Sequence, residues 1–339
     1  MPTAKTYKDW EIVSDIFEKN KDEITSIASL TKIMTTLVAI ENITDYNQTV
    51  TITSSMLSGL REANAAVIGL KSGHKVTYKD LLYGTFLASG ADATRALAIS
   101  IAGSENNFVN MMNEKAKELG LVNTSFTNTT GLDTKTGQSS TVDEVAKLLM
   151  VALENEIFNE IFYTKSYTFS NRLMTVYSTL EQTAKTYKID ITGVLGGKTG
   201  YTTAAGRCLA SIAYDEKNDI KYLFVTTKAD TDAKKSEHVK DASRTYKYYF
   251  ENFKYHNLIE KGDLLVKIPT KYVKESEIVF NANHIVSKYL ENTFDKAKVE
   301  IKYTGINVIE AGSKKDTEIG KVDIIYQDKI YETIPIVLA

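Results

Sequence analysis

The chain has 339 residues, 43% hydrophobic and 25% charged, with a formal net charge of −2. This is an ordinary globular composition whose length suits two domains. With no basic block or aromatic-interleaved basic patch it excludes the footprint of a nucleic-acid binder, and no apolar stretch is long enough to span a bilayer. A single cysteine, Cys208, rules out an intramolecular disulfide. The isolated histidines His74, His238, His256 and His284 lack metal-ligand spacing, so neither a metal nor another cofactor is expected.

The opening stretch "MPTAKTYKDWEIV" has no apolar core of the kind a signal peptide needs, so an exported protein with this start would be a trimmed form. "TAKTYKDWEIVSDIFEKN" reads as one or two strands. "IASLTKIMTTLVAI" follows, from Ile27 to Ile40. Leu30, Ile33, Met34, Leu37 and Val38 recur at helix spacing, and Ser29 stands where an N-cap is expected. Ser29 and Lys32 then share one face of the first turn. A desolvated lysine amine loses preference for its charged form and can take a proton from a serine hydroxyl. The plainer reading is a capped core helix whose lysine reaches to water. The same Ser-x-x-Lys spacing recurs from Ser72 to Lys75, but there Gly73 and His74 signal a turn. Spacing alone is therefore weak, and the buried context separates the two copies.

"TVTITSSML" reads as a short strand. Helical patterns follow in "YKDLLYGTFLAS", "ATRALAISIA", "ENNFVNMMNEKAKELG" and "TVDEVAKLLMVALEN", the last with a capping-box signature from Thr141 to Glu144. "ASGADATRA" sets Ser89 and Asp92 in a glycine-containing break, where a hydroxyl either faces a cleft or caps the next helix. From "YTFSN" strands dominate. "GVLGGKTGYTTAAGRCLASIAY" and "DIKYLFVTTKA" read as antiparallel neighbours joined at "DEKND", and "SEHVKDASRTYKYYFENF" returns to helix. "GVLGGKTG" is not a phosphate loop, because Gly193 stands one residue too close to Gly197 and a strand follows rather than a helix. Its Lys198 offers a cation and Thr199 a hydroxyl to an anionic group, while Gly200 lets a substrate backbone lie beside the strand. Near His256 the texture shifts to short alternating runs between turns, with "KVEIKY", "KVDIIYQ" and "KIYETIPIVL" as the clearest strands. The expected division is 1–257 and 258–339.

Ser29-Leu30-Thr31-Lys32, Ser89-Gly90-Ala91 and Lys198-Thr199-Gly200 stand in the order of the Ser-x-x-Lys, Ser-Asp-Asn and Lys-Thr-Gly motifs. Through them the chain resembles the low-molecular-weight penicillin-binding proteins that are serine-type D-alanyl-D-alanine carboxypeptidases. The resemblance covers nearly the whole chain, including "ASLTKIMTTLVAIE", "VTYKDLLYGTFLASGADATRALA", "NTSFTNTTGLD", "GGKTGYTTAAGRCLASIA" and the terminal "GKVDIIYQDKIYETIPIVLA".

The resemblance implies an α/β DD-peptidase/β-lactamase-like domain, an antiparallel sheet flanked by helices plus a helical lobe, followed by a small all-β domain. It implies Ser29 as the acylated nucleophile, Lys32 as its base and Ser89 as a proton relay to the leaving D-alanine. Lys198 and Thr199 would orient the terminal carboxylate, and the N–H groups of Ser29 and Tyr201 would form an oxyanion hole. Gly200, Ala91 and His238 complete the implied substrate side. The implied reaction removes the terminal D-alanine from peptidoglycan stem peptides, with β-lactam antibiotics as covalent inhibitors. The implied location is extracytoplasmic, at the cell envelope, with signal peptide and membrane anchor outside this chain.

Two departures stand out. The family's second motif ends in asparagine where this chain has Ala91, and the family's carboxylate-binding arginine before the "KDASRTYKYYF" helix falls near His238. They leave open a degenerate homologue that binds peptidoglycan or a partner without turnover. Within the superfamily a β-lactamase is a less favoured rival, since the chain has no Leu-Asn pair for a deacylating Glu-x-x-Leu-Asn stretch and carries the C-terminal β-module.

Overall fold

Residues 6–7, 10–11, 17–133, 137–230, 232, 235–272 and 274–338 are described by a computed structural model. They fall into two units, Met1–Lys247 and Tyr248–Ala339.

In the first unit β1 (Thr6–Tyr7) pairs antiparallel with β2 (Trp10–Glu11); residues 12–16 of the strands expected there lie outside the described residues. The apolar run after Ser29 is helical, but it starts later than its pattern suggests. Ala28–Leu30 is a 3-10 turn, and α1 runs Thr31–Asn42 with Leu30 at its N-cap. Ser29 therefore caps nothing, and its hydroxyl is left for Lys32. Every residue from Thr31 to Ile40 is buried, because this helix is surrounded rather than laid on a surface.

Beyond α1 lie β3 (Thr49–Thr51), α2 (Ser54–Leu57) and β4 (Lys75–Thr77), with β3 and β4 paired antiparallel. The strand expected over "TVTITSSML" is thus half strand and half helix. Then α3 (Tyr78–Phe86) begins at a reciprocal cap, in which Asp80 N donates to Thr77 Oγ1 at 3.1 Å and Thr77 N to the Asp80 carboxylate at 2.9 Å. α4 (Ala91–Ala102) stops at Gly103, whose φ of +76° suits glycine. Ser104 caps α5 (Glu105–Glu118). At α6 (Val142–Leu153) only half of the expected capping box forms. Glu144 N donates to Thr141 Oγ1, while the Glu144 carboxylate turns away to accept from Asn123 N and Thr124 Oγ1. α7 (Glu156–Tyr163) and α8 (Thr179–Tyr187) were not expected as helices. Both are short, and their aromatic and β-branched residues favour strands by local preference. Helices α3 to α7 pack around α1.

β5 (Ser166–Thr168) pairs with β6 (Thr175–Tyr177). The main sheet is antiparallel, in the order β7 (Val194–Thr202), β8 (Gly206–Asp215), β9 (Ile220–Ala229). The single strand expected over "GVLGGKTGYTTAAGRCLASIAY" is therefore a hairpin. Its register sets Lys198 against Ala210, Gly200 against Cys208 and Tyr201 against Arg207. Strand alternation puts Lys198, Gly200, Cys208 and Ala210 on the face toward the 3-10 turn and helical core. Thr199, Tyr201, Arg207 and Ser211 take the other face, where Ser211 Oγ meets Tyr246 OH at 2.9 Å. Tyr246 belongs to α9 (Glu237–Asn252), whose buried residues His238, Val239, Ala242 and Tyr246 recur at helix spacing.

Beyond α9 the described residues of the second unit form strands, apart from a 3-10 turn at Lys296–Lys298. β10 (Phe253–Ile259) pairs with β13 (Val286–Glu291). β11 (Leu264–Lys271) lies between β12 (Glu277–Asn281) and β15 (Ile309–Glu310), and β16 (Glu318–Tyr326) between β14 (Glu300–Gly305) and β17 (Lys329–Val337). Its own apolar cluster includes Leu258, Ile268, Val322, Ile324 and Ile336. Among the described residues no helix is long and apolar enough to cross a membrane.

Candidate active site

Ser29 is half-buried in the 3-10 turn, and Lys32 Nζ donates to its Oγ at 3.0 Å. Two close approaches fix that turn. A Cβ at Gly200 would lie 3.0 Å from Ser29 N, so β7 comes alongside the nucleophile only because position 200 is glycine. A Cβ at Gly131, where φ is +84°, would lie 2.0 Å from Ala28 O. Ala28 itself has φ +46°, a strained value for a residue with a Cβ.

The loop carrying Gly131 also holds the lysine. Asn128 Oδ1 accepts from Thr130 N, Thr130 Oγ1 and Gly131 N, at 3.0, 2.9 and 2.8 Å. That side-chain-built turn aims the Thr130 carbonyl at Lys32 Nζ, 2.5 Å away. Lys32 is buried, and burial pushes its amine down from 10.5 to about 7; the charge of Asp92 offsets part of this. Lys198, also buried, donates to the Thr199 carbonyl at 2.9 Å. Burial, and then the nearby Lys32, hold its amine well below the ordinary lysine value. The site thus contains two amines in each other's field, one of them within hydrogen-bonding distance of a serine hydroxyl.

The remaining expected residues divide into two groups. Ala91 is the first residue of α4, which packs on α1, and Ser89 lies two residues before it. Ser89 is nearly buried with φ +56°, and among the described residues it makes no hydrogen bond to Ser29 or Lys32. Two bonds of its neighbours secure it, Gly90 N to Gly84 O at 3.0 Å and Ala91 N to Ala66 O at 2.7 Å. Ala91 is buried and brings no amide. Asp92 next to it caps neither itself nor the site. Its carboxylate accepts from Ile68 N, Gly69 N and Leu70 N at 2.9–3.0 Å and from Ala93 N, latching the 66–70 loop. On β7, Thr199 Oγ1 donates to Thr179 Oγ1 at the start of α8, 2.7 Å away, and Tyr201 is exposed. His238 lies buried at the start of α9 with Nδ1 unpaired, and burial plus the charge of Arg207 lower its imidazole to about 4. It is uncharged at neutral pH.

The sequence reading missed the Thr130 carbonyl, Gly131 and Thr179. The Asn-Thr-Thr-Gly run was a usable turn signal for the first two. Nothing local marks Thr179, because helix packing brings it in.

A serine bonded to a buried, partly neutral lysine, beside an antiparallel strand edge, defines a serine acyl-transfer enzyme. Residues 14–231 match the peptidase S11 family, described as D-alanyl-D-alanine carboxypeptidase, and the chain belongs to that family of serine-type hydrolases. It is 29% identical over 322 residues to the D-alanyl-D-alanine carboxypeptidase DacF of Bacillus subtilis, covering 95% of this chain and 80% of the relative. With DacC of Escherichia coli the identity is 35% over 231 residues, 63% of this chain and 53% of the relative. Among solved structures, DacD from Francisella tularensis overlays with a TM-score of 0.70 at 22% identity, covering 95% of this chain and 89% of that one. Penicillin binding protein 5 from Haemophilus influenzae gives 0.65 at 25% identity, covering 95% and 92%. These overlays bear out the expected fold, a DD-peptidase domain followed by a β-rich C-terminal region.

Proposed function

We propose that this chain removes the terminal D-alanine from peptidoglycan stem peptides through an acyl-enzyme on Ser29. The observation that carries the reading is the bond from Lys32 to Ser29 in a site dry enough to bring the amine to about 7. Neutral Lys32 takes the proton from Ser29 Oγ as the oxygen attacks the scissile carbonyl. The N–H groups of Ser29 and Tyr201 receive the developing oxyanion. Ser89 passes the proton on to the leaving D-alanine nitrogen, and water then releases the shortened peptide from Ser29. Thr199 and Gly200 line the strand along which the substrate's C-terminal end lies, and Lys198, whose amine donates to the Thr199 carbonyl, orients the terminal carboxylate together with Thr199. A β-lactam acylates the same oxygen. The catalytic part is residues 1–257, and 258–339 form the β-domain. The substrate places the protein outside the cytoplasm, and membrane association belongs to the same proposal.

The test is intact-mass measurement after incubation with penicillin, alongside D-alanine release from a D-Ala-D-Ala peptide. One adduct and catalytic release are expected, both abolished in Ser29→Ala, while Ser72→Ala, an exposed turn serine, keeps both. Label surviving in Ser29→Ala removes the nucleophile assignment.

A further inference from the structure

A base acts through its lone pair, and the lone pair must face the proton it takes. Among the described residues Lys32 Nζ has two hydrogen-bond partners, Ser29 Oγ at 3.0 Å and the Thr130 carbonyl at 2.5 Å. Ala91 has no polar side-chain atom to add a third. A neutral amine is tetrahedral, with two N–H groups and one lone pair. Fixing one N–H on the Thr130 carbonyl therefore leaves the lone pair a narrow set of directions. The position of that carbonyl decides how well the amine faces the serine.

The carbonyl is held from beyond its own loop. On α1, Thr35 stands one turn after Lys32 and shares its face. Its Oγ1 donates to the Thr129 carbonyl at 2.8 Å, so α1 grips two successive carbonyls. From α5, Glu105 Oε1 accepts from both Thr129 N and Thr129 Oγ1, at 3.2 and 2.7 Å. Its second oxygen lies 3.1 Å from Arg95 Nε on α4, and Arg95 Nη1 donates to the Ser58 carbonyl. Thr129 is fully buried, while the side chains of Arg95 and Glu105 are 20% and 23% exposed. An acidic residue in a first turn ordinarily faces the helix dipole and water, and Ser104 already caps α5. Glu105 instead has one oxygen on a buried threonine and the other beside a cation. Hydrogen bonds to an ionised group are about twice as strong as neutral ones, so the carboxylate is a stiff link from the loop to α4 and α5.

We propose that Glu105 is a positioning residue for acyl transfer: through Thr129 it holds the carbonyl that aims Lys32 at Ser29, and Arg95 steadies its carboxylate. This deepens the proposed function and rests on its reading of Lys32 as the base. Glu105 itself touches no reacting atom. Thr129 directly precedes Thr130, so a shift of one carries the other. A displacement on the order of 1 Å at a catalytic group costs about a hundredfold in rate. With alanine at position 91, no second-motif amide holds the amine once the loop shifts.

The test uses the full chain and penicillin. Stopped-flow acylation against penicillin concentration separates noncovalent affinity from the limiting acylation rate, and intact mass counts the sites that react. In Glu105→Ala the limiting rate should fall about ten- to hundredfold with the affinity nearly unchanged. Glu105→Gln keeps an oxygen for Thr129 and should recover part of the loss. Thr129→Val removes the hydroxyl but keeps the side-chain shape, and it should slow the same step. Glu105→Ala/Thr129→Val should fall little below Glu105→Ala, because the two residues act as one link. A merely structural role would instead lower the urea midpoint and leave a wild-type rate at each reacting site. A wild-type limiting rate in Glu105→Ala, no recovery in Glu105→Gln, or additive losses in the double variant overturns the assignment. If Glu105→Ala does not fold, Thr129→Val decides, and a wild-type rate there overturns it. Wild-type protein that takes no penicillin overturns the acyl-enzyme reading and this inference with it, whereas a reactive wild type beside an unaffected Glu105→Ala overturns the inference alone.

Discussion

Burial lowers the amines of both Lys32 and Lys198, and the charge of Lys32 lowers Lys198 further. The catalytic consequence depends on Lys32, the amine bonded to Ser29 Oγ. Its pKa is lowered to about 7, so the base form is the minority below pH 7 and the majority above it. Acylation by penicillin should therefore rise about tenfold per pH unit up to near pH 7 and level off beyond, measured by stopped flow. A rise centred near pH 10 would mean that Lys32 is not the base. The serine–lysine pair was legible in the sequence because both residues lie within one turn of a single helical run. Its support was not: the Thr130 carbonyl comes from 98 residues away. His238 was read as substrate-facing from its position in the chain alone, whereas its burial depends on how α9 packs.

At the scale of elements, the site is a turn squeezed between β7 and the 128–132 loop, with the 66–70 loop latched to the head of α4. Asp92 is the latch, and its carboxylate also raises the Lys32 pKa. Asp92→Asn should act twice. Removing the negative charge takes away the effect that raises the amine, so the acid limb of the acylation profile should move to lower pH. Replacing one acceptor oxygen by a donor leaves a loop N–H unpaired, which should cost about 2 kcal/mol, read as a lower urea midpoint with unchanged slope. An unmoved acid limb would show that the charge of Asp92 is screened from Lys32. Long periodic helices such as α4 and α5 were legible because their apolar repeats are decided by burial on one side. α7 and α8 were not, since tertiary packing overrides their strand-favouring residues. The β7–β8 hairpin was missed for a related reason: the turn at Thr203–Ala205 has neither asparagine nor proline, and only Gly206, with φ +64°, marks it.

At the scale of the whole molecule, the two apolar clusters share no residue; the first ends at Ile212 and the second starts at Leu258. The change of texture near His256 was visible because alternation replaces helical spacing there. The fragment 1–257 keeps the first cluster and all of α9. It should fold with retained helical circular dichroism and still take up one penicillin, measured by mass. A folded fragment without label would mean that residues 258–339 help build the site. The total stability also reflects Ser89, held at φ +56° and hydrogen-bonded to neither Ser29 nor Lys32 among the described residues. The left-handed backbone costs a residue with a Cβ roughly 1–2 kcal/mol, and glycine's greater freedom in the unfolded chain returns about half of that. Ser89→Gly should therefore raise the melting temperature by about 2 °C while D-alanine release drops sharply. A laboratory population selected only for surviving heat should drift to glycine at this position and, if Ser89 is the proposed proton relay, lose turnover as it does so.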